Sequence, residues 1–403
     1  MPADRRVIGS EHVERASRRG RRHIEVLPGT IVTAEARDSA ARLRIALRAG
    51  PLDRPAVPVP DGTAALVRGL YRRGAKWMPP ARPEGRNPVR FDRLAVVGAG
   101  GVGANVAHLA ANAGMADEVV VVDIVPGLAE SLAVDLAHAS GLTRSRSRVT
   151  GGTGLGLVAG ADVAVVTAGR PRAPGMDRAD LLEANRRTVR SVAESIRTAS
   201  PGAVVLVVSN PLDEMTVEML RATEFPRERV LGMAGTLDSA RFREALARTA
   251  GVEVDEVEAM VLGSHGAEMV PVVSRARIRG APLERHLRRA QIDACVERTV
   301  AAGARVVALR KTGSATLAPA HAVVEVLEHL RGARAGAVPV SVRLDGEFGI
   351  EGVVLGVPCR LGPRGLIEIE EIPLAQAERS ALSRAAAAIR SRIDGAERPV
   401  GAS

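Results

Sequence analysis

Phe91-Asp-Arg-Leu-Ala-Val-Val97-Gly98-Ala-Gly100-Gly101-Val102-Gly103 decides the fold. Phe91 to Val97 is a β-rich run that stops at a glycine. A helical pattern follows through Ala113, and a second buried strand, Glu118 to Val122, ends in Asp123. Glycines at 98, 100 and 103 suit a tight turn, a backbone close to a pyrophosphate, and close helix–strand packing. The N-terminus of the following helix offers unpaired N–H groups to that pyrophosphate. Asp123 lies 20 residues past Gly103, where a carboxylate can accept from both ribose hydroxyls of an adenosine. It would repel a 2′-phosphate, so NAD is expected rather than NADP. A lone glycine fingerprint is weak. Strand, glycines, helix, strand and acid in this order point to a dinucleotide site.

The alternation continues downstream. Asp162 to Thr167 reads as a strand, Asp180 to Ser200 as a helix, and Val204 to Val208 as a strand ending in Ser209-Asn210-Pro211. Ligand-binding residues are expected at these carboxyl ends of parallel strands. The loop after Thr167 carries Arg170, Arg172 and Arg178 between glycines and prolines, and Asn210 sits just past its strand. A helix is expected from Thr236 to Thr249, with Asp238 and Arg241 on one face. An apolar run from Met260 ends in Gly263-Ser264-His265-Gly266. Small neighbours leave that imidazole open to a ligand, and a pKa near ~6.5 suits proton transfer at neutral pH. A lone histidine beside a strand is more often a structural hydrogen-bonder, but here the other parts of a redox site precede it. Strands at Val270–Ile278, Val338–Leu344, Gly352–Leu361 and Gly365–Ile372 are expected to be antiparallel. Helices at about 284–301, 314–331 and 375–393 complete an α+β second domain.

Bulk composition narrows the partners. Only two of the 56 basic residues are lysines, Lys76 and Lys311, so the abundance of arginine reads as compositional bias. The formal net charge is +10, yet residues 1–90 hold 19 Lys+Arg against 9 Asp+Glu, and residues 91–403 are balanced at 37 against 37. The larger part therefore has no excess charge for a nucleic acid. No apolar run reaches the ~18–20 residues of a membrane span, and no secretory signal is expected. Cys295 and Cys359 have no ligand spacing, so neither a disulfide framework nor a metal site is indicated. A reducing, cytoplasmic setting fits.

Residues 1–90 stand apart. Prolines cluster between Pro51 and Pro88, and two amphipathic pieces are embedded. In the first, Ile24 to Leu47, Thr33 is a candidate N-cap for a helix carrying Ala36, Ala40, Leu43 and Leu47 at helical spacing. The second, Thr63 to Met78, reads as a short basic helix.

Five stretches now bear on family: Val96-Val97-Gly98-Ala-Gly-Gly-Val-Gly103, Pro171-Arg172-Ala-Pro-Gly-Met-Asp-Arg178, Val208-Ser209-Asn210-Pro-Leu-Asp213, Ala234-Gly-Thr-Leu-Asp238-Ser-Ala-Arg241-Phe-Arg243 and Val261-Leu-Gly-Ser-His265-Gly266. In this order they make the chain from about 91 to 395 resemble the NAD-dependent lactate/malate dehydrogenases, in particular the lactate-dehydrogenase-like branch of malate dehydrogenases. The resemblance implies a Rossmann NAD-binding domain over 91–236 and an α+β substrate domain over 237–403, after a basic extension over 1–90. It implies that His265 accepts the substrate's hydroxyl proton, that Asp238 orients it, and that Arg241 grips the C1 carboxylate. Arg178 would polarise the carbonyl, and Asn210 would bind substrate and cofactor. Gly98, Gly100, Gly101, Val102, Gly103, Asp123, Asn185, Val208 and Ser209 would line the NAD site. The loop 169–179 would close over the substrate.

Arg172 faces the distal end of the substrate in this family. An arginine there matches a second carboxylate, as in malate and oxaloacetate; an amide would suit lactate and pyruvate. The run Lys311-Thr-Gly-Ser-Ala-Thr-Leu-Ala-Pro319 also resembles the malate branch. Malate oxidation in the tricarboxylic acid cycle by a homo-oligomer, dimer or tetramer, is what the resemblance implies. The alternatives are a lactate or other 2-hydroxyacid dehydrogenase, or a weakened NAD-binding scaffold.

Two stretches depart from the family pattern. Ala267-Glu268 stands where an Asp usually follows His-Gly, and Gly151 to Val158 is unusually glycine-rich. The segment Pro28 to Ile45 resembles strand–turn–helix pieces of bacterial microcompartment proteins and the peripheral-subunit-binding motif of acyltransferases. Either implies docking to a shell or scaffold protein; a disordered basic tail is the alternative.

Overall fold

The computed structural model describes residues 7–18, 22–26, 30–49, 88–170 and 178–397. The chain divides into two compact units, Met1–Ala75 and Lys76–Ser403.

The smaller unit is a strand–helix–strand pattern made twice. β1 (Val7–Ile8), α1 (Ser10–Arg18) and β2 (His23–Val26) are followed by β3 (Ile31–Val32), α2 (Ala34–Arg42) and β4 (Ala46–Ala49). β1 pairs in parallel with β3, and β2 with β4, so the two halves interlock. Val13, Ala16, Ala36, Ala40 and Ile45 form their shared core. Thr33 caps α2, its Oγ1 accepting from Ala36 N at 3.2 Å. Two expectations are corrected here. The helix does not extend to Leu47: Arg44 takes φ 53° and breaks it, and Leu47 belongs to β4. Nor is this stretch a disordered tail, because the first strand and helix, which the sequence reading passed over, supply the apolar partner that α2 lacks alone. The basic piece Thr63 to Met78 lies outside the described residues.

In the larger unit, β5 (Phe91–Val97), α3 (Gly101–Asn112), β6 (Ala116–Val122), α4 (Leu128–Thr143), β7 (Arg148–Gly152), β8 (Val163–Val166), α5 (Arg178–Ala199), β9 (Val204–Val207), α6 (Leu212–Thr223) and β10 (Val230–Gly232) alternate. Their strands lie in the order β7-β6-β5-β8-β9-β10, all parallel. β8, β9 and β10 and the carboxyl-terminal halves of β5 and β6 are buried on both faces, while β7 at the edge is only partly buried. Leu94, Val96, Val163, Val165, Val204 and Leu206 enter one core, while Ala95, Val97, Ala164, Val166, Val205 and Val207 enter the other. The period-2 alternation thus serves two helical layers at once, which is why these runs read as uniformly apolar. The chain begins mid-sheet at β5, winds outward to β7, then crosses back to β8. That reversal opens a cleft at the carboxyl ends of β5 and β8. The first glycine of the glycine-rich stretch, Gly151 inside β7, has a packing reason. A side chain at Gly151 would collide with the Ala129 carbonyl in the first turn of α4.

The rest comprises α7 (Gly235–Ala250), β11 (Val257–Glu258), β12 (Val261–Gly263), β13 (Met269–Pro271), β14 (Arg277–Ile278), β15 (Ala281–Pro282), α8 (Arg289–Arg310), α9 (Leu317–Leu330), β16 (Ala337–Asp345), β17 (Glu351–Gly362), β18 (Gly365–Ile369) and α10 (Gln376–Glu397). β16 pairs antiparallel with β10, so these strands extend the parallel sheet. Val270–Ile278 is not one strand. Pro271 lacks an N–H for a longer ladder, Val273–Arg275 turns as a 3₁₀ helix, and Arg277–Ile278 joins a separate three-stranded sheet. The helix expected at 284–301 starts at Arg289 and runs to Arg310. Among the described residues no helix is long and apolar enough to cross a membrane.

Candidate active site

The glycine turn has the shape its sequence demands. Gly98 sits at φ 106°, where a side chain would also meet Thr167 Oγ1. At Gly103 a Cβ would run into the Gly98 carbonyl, so α3 lies against the turn with no room for alanine. Gly100, by contrast, borders open space, with nothing within 4 Å of an added Cβ. It is the N-cap of α3 and no side chain caps that end. Gly100 therefore leaves space beside the uncapped N-terminus of α3, where an anion can approach. Thr316, just before α9, packs its methyl 2.5 Å from where a Cβ on Gly101 would stand. Val102 is partly buried against the core.

Asp123 ends β6 as expected. Its Oδ2 accepts from Ala99 N at 2.7 Å and its Oδ1 from Val125 N at 3.0 Å. The carboxylate is thus locked to the turn, with lone pairs to spare on both oxygens. These features fit a dinucleotide: a glycine-rich turn, an uncapped helix end, and a fixed carboxylate at the end of the neighbouring strand.

At the ends of β8 and β9, Asn185 on α5 is buried. Its Oδ1 accepts from Arg170 N at 2.7 Å and its Nδ2 donates to Asn210 O at 2.7 Å. The side chain staples the start of the arginine loop to the turn after β9. Val208 and Ser209 are buried there too, and Ser209 Oγ donates to Val166 O at 3.2 Å. Asn210 is exposed. Arg172 lies outside the described residues; Arg178 opens α5.

The centre of the second half is Asp238, 2% exposed on the first turn of α7. Its Oδ2 lies 2.8 Å from His265 Nδ1, and its Oδ1 accepts from Arg241 Nη1 at 3.0 Å. Nδ1 facing a carboxylate carries the proton, which leaves Nε2 as the basic nitrogen. Burial pulls the imidazole's pKa down. The charge and hydrogen bond of Asp238 outweigh it, with help from Asp213 and against Arg241, and the net direction is upward. A base raised above its ordinary value is better matched to taking a proton from an alcohol.

Asp213 had no role assigned from sequence, although it closes the Asn-Pro-Leu-Asp stretch. It is buried on α6 and accepts from His265 N (2.9 Å), Ser264 Oγ (2.9 Å) and Ser341 Oγ (3.0 Å). Burial pushes its pKa up, and the His265 N–H and Ser264 hydroxyl push back. No local spacing signalled it, because its partners come from Ser264, His265 and Ser341, distant in sequence. Among the described residues no group of three or more His, Cys, Asp or Glu is placed to hold a metal. A cavity of about 820 Å³ bounded by Ser239, Arg243, Met260, Glu325 and His329 has none of His265, Asp238 or Arg241 in its wall.

Comparison with known proteins bears on both halves. Residues 92–232 match the family model "lactate/malate dehydrogenase, NAD binding domain", and residues 235–399 match "lactate/malate dehydrogenase, alpha/beta C-terminal domain". A malate dehydrogenase of Trichormus variabilis is 43% identical over 305 residues, 76% of this chain and 94% of that protein. Malate dehydrogenase 1 of Anaeromyxobacter dehalogenans is 41% identical over 75% of this chain and 97% of its own length. Among solved structures, malate dehydrogenase from Salinibacter ruber superposes with TM-score 0.71 at 37% identity, covering 75% of this chain and 96% of that one. Lactate dehydrogenase from Cryptosporidium parvum, solved with lactic acid and nicotinamide adenine dinucleotide, gives TM-score 0.74 at 34% identity, covering 77% and 100%.

Proposed function

The chain belongs to the lactate/malate dehydrogenase family, and on that premise we propose how its own side chains carry the reaction. Its activity is NAD-dependent interconversion of malate and oxaloacetate. The observation that carries the residue assignment is one carboxylate, Asp238, bonded to both His265 and Arg241.

In the direction of malate oxidation, His265 Nε2 takes the C2 hydroxyl proton, and Asp238 stabilises the imidazolium that forms. Arg241 keeps one N–H on Asp238 and holds the C1 carboxylate with its others. Arg178 steadies the oxygen where negative charge develops in the reverse direction. Arg172 pairs with the distal carboxylate, and Asn210 binds beside it. The loop 169–179, of which residues 171–177 lie outside the described ones, would exclude water by closing over the substrate. Bound NAD supplies the hydride acceptor. Gly98, Gly100, Gly101, Val102 and Gly103 would hold the pyrophosphate and Asp123 the ribose, and Asn185, Val208, Ser209 and Asn210 would complete the NAD site.

The same reading extends to setting and partners. We place the enzyme in the cytoplasm, in the tricarboxylic acid cycle, as a homo-oligomer. Support for the last comes from exposed Ile124, Val134 and Leu142 on and before α4, apolar surface of the kind that self-association covers. A shell or scaffold protein is the proposed partner of residues 1–90.

The test is His265→Asn. Malate oxidation should fall by ~10²–10⁴-fold, the usual worth of a general base. NADH binding, followed by fluorescence titration, should persist, since the glycine turn is untouched. A variant with wild-type turnover would remove His265 from the role of base.

A further inference from the structure

His265 sits in the loop 264–268 between β12 and β13, and one side chain from the end of the chain reaches both ends of that loop. Arg392, on α10, donates from Nη2 to Ser264 Oγ at 3.2 Å and from Nη1 to Glu268 Oε1 at 3.3 Å. Its Nε donates to Glu214 Oε1 at 2.7 Å. Ser264 Oγ in turn donates to Asp213 Oδ2, the oxygen that also accepts the backbone N–H of His265. Glu214 follows Asp213 on the first turn of α6. The loop is therefore clamped between a buried carboxylate on α6 and a guanidinium on α10. The Arg392 side chain is only 21% exposed and Glu214 5%, so water screens their pairing little.

We propose that Arg392 is a positioning residue for the catalytic base: it sets the loop that carries His265 by holding Ser264 and Glu268 at once. Three acceptors in three directions require a planar fork; an ammonium is a point charge and does not supply that geometry. The proposal also gives a physical meaning to Glu268, which departs from the dehydrogenase pattern after His-Gly. It is the loop's own anchor for Arg392. In this account α10, far from His265 in sequence, reaches the chemistry through a relay of Arg392, Ser264, Asp213 and the His265 backbone. None of these side chains is among the residues assigned above to the substrate or the glycine turn.

The inference rests on His265 being the base, and the test separates the two. Arg392→Met, Arg392→Lys and Glu268→Gln are compared in the full chain. Displacing a reacting group by about an ångström costs up to ~10²-fold, so R392M should lower kcat by about ten- to a hundredfold. The dissociation constant of NADH should stay at the wild-type value. R392K, which keeps the charge without the fork, should recover only part of the loss. E268Q, a near-isosteric change that leaves the fold intact, should give a smaller loss, and combining it with R392M should be non-additive. R392M with wild-type kcat and a lowered Tm would make Arg392 a stabilising residue only and overturn the proposal. Strict additivity of R392M and E268Q would overturn it too. An active H265N variant would instead remove the base itself; a dead H265N beside a normal R392M sinks the positioning role alone.

Discussion

Asp238 serves two partners, and removing its charge has a signed consequence for pH. Malate oxidation needs His265 unprotonated, so kcat/KM should rise with pH through the pKa of His265 in the enzyme. Burial lowers that pKa, and Asp238 is the largest of the influences that raise it. In Asp238→Asn the burial remains and the opposing charge is gone. The rising limb should therefore move to lower pH, while the plateau falls by ~10²–10⁴-fold as the imidazolium loses its partner. A limb that stays in place or moves to higher pH would show that Asp238 does not set the base. Spacing alone put Asp238 and Arg241 on one helical face, and it was the family resemblance of the motifs that implied Asp238 orients His265. Neither made Asp213 or Arg392 legible. Asp213 acts through backbone and hydroxyl donors brought in from β12 and β16, which no local spacing encodes. Arg392 was hidden among abundant arginines, where one more on a polar helix carries no signal.

At the scale of elements, the turn from β5 into α3 makes a prediction that separates packing from binding. Gly103→Ala drives a Cβ into the Gly98 carbonyl. Overpacking of this kind costs ~1–3 kcal/mol, so thermal denaturation should show a loss of stability as well as weaker NADH binding. Gly100→Ala meets nothing within 4 Å and should melt like the wild type. It should still bind NADH less tightly, because its methyl fills the space left for the pyrophosphate. G100A with both wild-type melting and wild-type affinity would remove the turn from the cofactor site. β5, β6, β8 and β9 were readable because burial on both faces makes their sequences largely apolar, whereas β7, partly buried and glycine-bearing, and the three-residue β10 were not. The breaks were not. Arg44 leaves α2 through a left-handed conformation that glycine usually marks, and Pro271 splits what looked like one strand. β1 and α1 escaped notice because their core positions are filled by Val13 and Ala16 in an otherwise charged stretch. Their meaning appears only when α2 packs beside them.

For the whole molecule, the catalytic unit and residues 1–75 are separate compact units, and the family matches begin at residue 92. Val89 is already tied to the catalytic unit, since its N–H donates to Arg331 O at 2.8 Å. A chain starting near Asn87 should therefore fold, stay soluble and keep NADH-dependent oxaloacetate reduction, while losing a partner that the full chain retains in pull-downs. An insoluble or inactive truncation would contradict this, and an unchanged set of partners would leave the extension without a docking role. The charge balance puts all the net charge in the first ninety residues. It could not foretell that two halves of this segment build one small core. The central claim is that this site takes a dicarboxylate, and it is tested by one measurement. The full chain is given NADH with oxaloacetate or with pyruvate, and loss of absorbance at the nicotinamide band is followed for each. The kcat/KM for oxaloacetate should lie far above that for pyruvate if Arg172, as proposed, pairs with the second carboxylate, since the pyruvate methyl gains nothing from that arginine. Faster reduction of pyruvate would contradict it.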